Sequence, residues 1–190
     1  MGKIIEPHHD LDTICNLAVD HLHRGVNKKT HPFRSFVFST AAPNTRMVIL
    51  RKVDHEPFAV WVYTDARSTK IQEVKENSEA ALLFWHPSSK LQVKLITSVK
   101  IHENDDLKEE HWTEVGARGK DSYNTAEAPG SSVSNPEKVD YKEPYDGDDF
   151  SVLECRVEKM EVLQLRREGH IRASFQFGKG KIEKSSFIVP

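Results

Sequence analysis

Arg46, the run Ser68-Thr69-Lys70 and Gln92 are the residues whose types and spacing suit one kind of chemistry, the binding of a phosphorylated planar ligand. Arg46 falls in a β-rich run and can present a guanidinium fork to a phosphate. Ser68, Thr69 and Lys70 open a predicted helix, where free backbone N–H groups and the helix dipole favour an anion. Gln92 offers both a donor and an acceptor to the edge of a heteroaromatic ring. Each residue also has an ordinary reading. Strand arginines are commonly solvated, and Ser-Thr at a helix start is a cap.

Other chemistries find less support. The sequence holds no G-x-x-x-x-G-K-[ST] phosphate loop, no G-x-G-x-x-G fingerprint, no H-E-x-x-H and no G-x-S-x-G. Its ten histidines invite a metal hypothesis. His21 and His23 are two apart on a predicted helix, hence on different faces. His8 and His9 lie in a segment expected to be mobile, while His55, His86, His102 and His111 are scattered over predicted turns and strand ends. Solvated histidines and no dedicated metal site are the expectation.

The elements that must position these residues follow from periodicity. Leu11, Ile14, Cys15, Ala18 and Leu22 form one helical stripe, with Asp10 as its cap and Gly25 as a left-handed C-terminal residue. Phe36–Phe38, Met47–Leu50 and Phe58–Tyr63 read as strands, broken at Ala42-Pro43-Asn44 and at Asp54-His55-Glu56-Pro57. A helix over 68–77, with Thr69 and Gln72 at capping-box spacing, precedes strands 80–85 and 91–101. Residues 105–117 can form a helix. The Gly- and Pro-rich stretch 119–149 predicts a long loop, a candidate lid. Strands 150–165, 171–177 and 182–189 follow, the last two joined by Gly178-Lys179-Gly180. Eight strands with little helix predict a mainly β, antiparallel barrel, because few strands alternate cleanly enough to leave one face in water.

Composition sets the outer bounds. The 190 residues carry 27 Lys+Arg against 29 Asp+Glu, a formal net charge of -2, which argues against a duplex nucleic-acid partner. No apolar run approaches a membrane span, and the first seven residues lack a signal-peptide h-region. Cys15 and Cys155 are the only cysteines, so a disulfide framework is not expected. One cytoplasmic domain over 1–190 is the expectation.

The ordered run Arg46-Met47-Val48-Ile49-Leu50, Tyr63-Thr64, Ser68-Thr69-Lys70, Asn77, Leu82-Leu83-Phe84-Trp85-His86 and Leu91-Gln92-Val93 closely resembles the FMN-binding split-barrel family typified by pyridoxine/pyridoxamine 5'-phosphate oxidase. Arg24-Gly25-Val26 and His31-Pro32-Phe33-Arg34 look like a subfamily whose reaction is not established. The resemblance implies that Arg46 and Lys70 bind the FMN phosphate beside Ser68, with Thr69 standing where the oxidases usually carry another arginine. It implies that Met47, Val48 and Ile49 lie along the isoalloxazine, that Tyr63 and Thr64 contact the flavin, and that Gln92 meets its polar edge. It further implies a homodimer with FMN at the interface, the second copy supplying a Trp and an Arg. Those positions are Leu163 and Arg172 here. Arg51 replaces a substrate lysine, and Gly169-His170 is what remains of a terminal R-x-H motif, so Arg51 and His170 are the substrate candidates. The implied activity is an FMN-dependent oxidoreductase, hydride passing to flavin N5, with the substrate unnamed. The alternatives are a non-catalytic flavin- or haem-binding module and an oligomeric scaffold with a vestigial site.

Overall fold

Among the described residues nine strands pair antiparallel throughout, in the order β2-β1-β5-β6-β7-β4-β3, with β8 and β9 continuing from β7. They are β1 Ser35–Thr40, β2 Thr45–Ile49, β3 Lys52–His55, β4 Phe58–Asp65, β5 Glu79–His86, β6 Leu91–His102, β7 Phe150–Gln164, β8 Ile171–Gly178 and β9 Lys181–Phe187. Four helices accompany them: α1 Leu11–Asn27, α2 Thr69–Glu76, α3 Asp106–Glu114 and α4 Ala117–Lys120. The computed structural model describes residues 4–41 and 44–190; the Ala42-Pro43 break and Met1–Lys3 lie outside them.

The fifteen-residue β7 splits the sheet. Along one edge it pairs with β6; along the other, residues 150–156 pair with β4 and residues 159–164 with β8. The strands therefore diverge about Val157-Glu158, where a bulge at Glu158 of β7, opposite Ile96/Thr97 of β6, takes up the bend. Phe36, Phe38, Leu82, Phe84, Val93 and Leu95 fill the inside, and Ile14, Ala18 and Leu22 of α1 close it. A second cluster joins Trp61 and Tyr63 of β4 to Trp112 of α3, Tyr123 and Phe150.

The antiparallel barrel agrees with expectation, although the reason given for it does not. β1, β5 and β6 do alternate between buried and more exposed residues. β3 occupies residues read as a turn: Asp54 tolerates a strand because its carboxylate accepts the Trp61 indole N–H at 2.8 Å. Asp10 caps α1 by accepting from Thr13 N, but the helix runs on to Asn27. Gly25 is needed for close packing instead, since a Cβ there would stand 2.8 Å from the Phe33 carbonyl oxygen. Ser68 holds the cap position of α2 without a side-chain cap bond, and Gln72 donates to Glu76 rather than closing a capping box. The 105–117 helix stops at Glu114 and restarts as α4.

The N-terminal segment is docked, not loose. Buried Gln164 accepts from Ile4 N and Ile5 N at 3.1 Å each and donates to Ser89 O at 2.7 Å. The histidines are corrected too: His21, His86, His102 and His111 are all buried. Burial, with His31 beside it, pushes His21 down to about 4, and burial lowers His31 as well. Both cysteines are free and buried. Among the described residues no helix is long and apolar enough to cross a membrane.

Candidate functional site

A cleft of about 370 Å³ opens between β2, the end of β4, the start of α2 and the 119–149 segment. Arg46, Met47, Val48 and Ile49 form one wall and Tyr63, Thr64, Asp65 and Lys70 another. Arg51, Ser122, Tyr123 and Pro129 complete it. Larger hollows elsewhere, such as one of about 440 Å³ between α1 and the β8–β9 hairpin, lack this concentration of cations.

The cationic end is built by a tight turn. Asp65 Oδ1 accepts Arg67 N at 2.8 Å and Asp65 O accepts Ser68 N at 3.1 Å, which brings the chain from β4 directly into α2. Lys70 Nζ then reaches back to donate to Thr64 Oγ1 at 2.7 Å and Ser68 Oγ at 3.1 Å. Among the described residues no carboxylate lies within ion-pair distance of Lys70. Burial, aided by the neighbouring Arg46 charge, lowers its pKa below the ordinary lysine value.

Arg46 is held ready on the adjoining strand. Its guanidinium donates to Glu73 Oε2 at 2.8 Å, Thr40 Oγ1 at 3.2 Å and Asn44 O at 3.3 Å. Glu73 also accepts from Thr40 Oγ1 and Asn44 Nδ2. Burial would raise the Glu73 carboxyl, but these hydrogen bonds together hold it below the usual range. Thr69 faces solvent at the start of α2.

The floor is aromatic. The Arg51 guanidinium lies 5.1 Å from the centroid of the Tyr63 ring, and the Tyr63 hydroxyl meets His111 Nδ1 at 2.8 Å. Burial, with Glu114 near, pushes the Tyr63 phenol up to about 12. Arg51 reaches Tyr123 OH at 3.4 Å, its Nε is buried without a partner, and no carboxylate pairs with it among the described residues. Arg67 fastens the long segment over this end. It grips Asp65 at 2.7 and 3.0 Å, donates to the Thr125 and Ala126 carbonyls at 2.9 Å each, and lies 3.2 Å from Asp149.

Gln92 and Arg172 stand elsewhere. Trp85, Gln92, Leu163 and Arg172 lie directly opposite one another across β5, β6, β7 and β8, so they form one row on one face. Met47 shares that face, through Val37 and Leu83. It is the outer face, with Met47 62% and Trp85 42% exposed. Beside the row, Arg172 donates to Glu161 at 2.7 Å, and Lys94 and Lys159 reach the same carboxylate. His170 is exposed, with Nδ1 accepting Arg166 N, in a groove with Lys90 and Glu168. Arg46, Met47, Val48, Ile49, Arg51, Tyr63, Thr64 and Lys70 are thus brought together, with Ser68 behind Lys70. Gln92 and Arg172 make a second group, and His170 joins neither. Glu73, Asp65 and His111 were not singled out from the sequence. Glu73 is 27 residues from Arg46 and His111 48 from Tyr63, so no local spacing signals them.

Residues 18–103 match the model of the family described as pyridoxamine 5'-phosphate oxidase, FMN-binding domain. Over those residues the chain is similar to that FMN-binding family. A pyridoxine/pyridoxamine 5'-phosphate oxidase of Erythrobacter litoralis is 41% identical over 54 residues, 28% of this chain and 24% of that protein. One from a Nostoc species is 38% identical over 64 residues, 33% of this chain and 29% of that protein. The matched segments therefore span less than a third of these relatives.

The fold likeness is broader. A pyridoxamine 5'-phosphate oxidase-related, FMN-binding protein of Nostoc punctiforme superposes with a TM-score of 0.75 at 17% identity, covering 91% of this chain and 96% of that one. PhzG from Burkholderia lata, solved with tetrahydrophenazine-1-carboxylic acid, gives 0.72 at 14% identity, with 93% and 92% coverage. FMN is the family's cofactor, and the residues present fit it. Lys70, which donates to two hydroxyls, and Arg46 suit a phosphate, while the exposed Met47 and Ile49 side chains offer an apolar surface to a flat ring.

Proposed function

We propose that this chain is an FMN-dependent oxidoreductase that works as a homodimer. The flavin phosphate lies at Arg46 and Lys70 of one protomer, and the ring is completed by the Gln92–Arg172 row of a second copy. The observation that carries the reading is Lys70, a half-buried cation beside Arg46 that donates to two hydroxyls and, among the described residues, has no carboxylate within ion-pair distance. Such a group is costly unless an anion joins it. The shared outer face supports the dimer, since it exposes Met47, Ile49 and Trp85 between the cleft and the row.

Bound FMN supplies the hydride-accepting chemistry, while the protein binds, orients and shields. Arg51 is the natural partner of a substrate anion, being inside the cleft, unpaired by any described carboxylate, and short of an acceptor at Nε. Tyr63 stays protonated at neutral pH, and its O–H is free to donate to a ligand whenever His111 Nδ1 is the donor in the bond they share. The 119–149 segment acts as a fixed wall through Arg67 more than as a swinging lid. The test is flavin itself. The purified protein should bind about one FMN per chain, and the bound flavin should be reduced by an anionic substrate and reoxidised. Failure to bind added FMN overturns the reading. Stoichiometric FMN without turnover favours the non-catalytic binding module, for which the Leu163 departure speaks.

A further inference from the structure

His21, His31 and His86 come from separate elements and converge, one ring nitrogen of each lying within 4.8 Å of the other two. His21 is on the inner face of α1, His31 caps the short turn Pro32–Arg34, and His86 ends β5. His21 and His86 are buried and His31 is partly so. None of them lines the flavin cleft. We propose that this triad binds one divalent transition-metal ion of the zinc class, which ties α1, the 31–34 turn and β5 together.

Distance favours it. His21 Nδ1 and His31 Nε2 are 3.2 Å apart, close to the roughly 3.3 Å edge of a tetrahedron with zinc–nitrogen bonds of about 2.0–2.1 Å. The donor set favours it too. Three neutral imidazoles without a carboxylate suit zinc, copper, nickel or cobalt and do not suit magnesium or calcium. Fully buried Phe33 packs against all three rings, with centroids 5.9, 5.6 and 6.3 Å from His21, His31 and His86, so the rings are held by packing. The partial exposure of His31 leaves solvent access and a fourth position for water.

The protons must balance. Without metal, Phe33 N–H donates to His31 Nδ1 at 3.1 Å, so the His31 proton sits on Nε2 and is shared with His21 Nδ1. An ion bound at His31 Nε2 takes the place of that proton, which moves to Nδ1. The Phe33 cap is then exchanged for a metal–nitrogen bond. The Ser89 N–H contact to His86 Nδ1, long at 3.3 Å, yields on the same terms wherever His86 binds through Nε2. Metal binding is thereby coupled to the geometry of the 31–34 turn.

The experiment uses the full chain with FMN bound, freed of metal by a chelator and titrated with Zn²⁺ by calorimetry. One zinc per chain is expected, in preference to Mg²⁺, with a raised Tm. His31→Gln and His86→Gln should each weaken zinc by at least about tenfold, while His55→Gln, outside the triad, leaves it unchanged. The flavin absorbance should be the same in all three, which separates this site from the flavin reading. X-ray absorption at the zinc edge of the wild type should count three imidazoles, and it decides the matter where a variant does not fold. Less than one zinc per chain, unchanged affinity in both variants, or fewer than three imidazoles overturns the proposal.

Discussion

The cleft and the outer row are two binding surfaces assembled by different means. In the cleft, the cations come from an edge strand and a tight turn, and side-chain bonds pre-set them: Lys70 on Thr64 and Ser68 of its own turn, and Arg46 on Glu73 of the adjoining helix. In the row, Gln92 and Arg172 are brought into line only by the register of four strands. The cations of the cleft, Arg46, Arg51 and Lys70, belong to the segment that matches the family. The row draws half its members, Leu163 and Arg172, from beyond residue 103. A surface made of local turns survives drift elsewhere in the chain. One made by register depends on every strand between.

The largest expected effect is on the cleft. Arg46→Ala with Lys70→Ala should weaken FMN by about a hundredfold or more, as two charge-assisted hydrogen bonds of roughly 1.5–3 kcal/mol each are lost. Quenching of flavin fluorescence measures it, and an affinity within threefold of wild type would refute the phosphate assignment. The next test links the two surfaces. Lys70→Ala and Arg172→Ala proteins, each poor in flavin, should recover about a quarter of the sites when equal amounts are unfolded together and refolded as a mixture. Only the mixed dimer pairs an intact cleft with an intact row. No recovery means that cleft and row do not meet across an interface.

Acid stability tests the row alone. Burial would raise Glu161, but hydrogen bonds from Lys159, Arg172 and Lys94 hold it down to about 2. Its folded pKa is depressed, so its contribution is present above the ordinary glutamate value of 4.5 and is lost as pH falls toward 2. Glu161→Gln should flatten the fall in Tm over that window; an unaltered acid limb would show that the cluster adds nothing. The smallest effect belongs to the wall of the cleft. Tyr123→Phe removes only the 3.4 Å contact with Arg51, and FMN affinity should stay within about threefold. A tenfold loss would make the 119–149 segment part of the anion site.

Legibility differed along the same line. Arg46, Tyr63-Thr64 and Ser68-Thr69-Lys70 were readable because their spacing is short and their chemistry is of one kind. β3 was missed because Asp54 and His55 are turn-formers by type, and the indole N–H that reconciles Asp54 with a strand comes from β4. Gly25 was read as a helix end, whereas the cause is the Phe33 backbone pressing on it from outside the helix. The histidines were judged by sequence neighbours, and His21 and His86 are 65 positions apart yet meet.

By itself the sequence determined the mainly β, antiparallel character, the cationic turn of the cleft and the kinship that names FMN. Those depend on periodicity and short-range order, which a linear chain displays. Only the tertiary structure decided that Glu73 holds Arg46, that Gln92 and Arg172 stand apart from the cleft, and that three histidines meet at one point. Each of those depends on which strands lie side by side and which face is buried. Burial and Coulomb interaction act through space, where distance along the chain no longer counts.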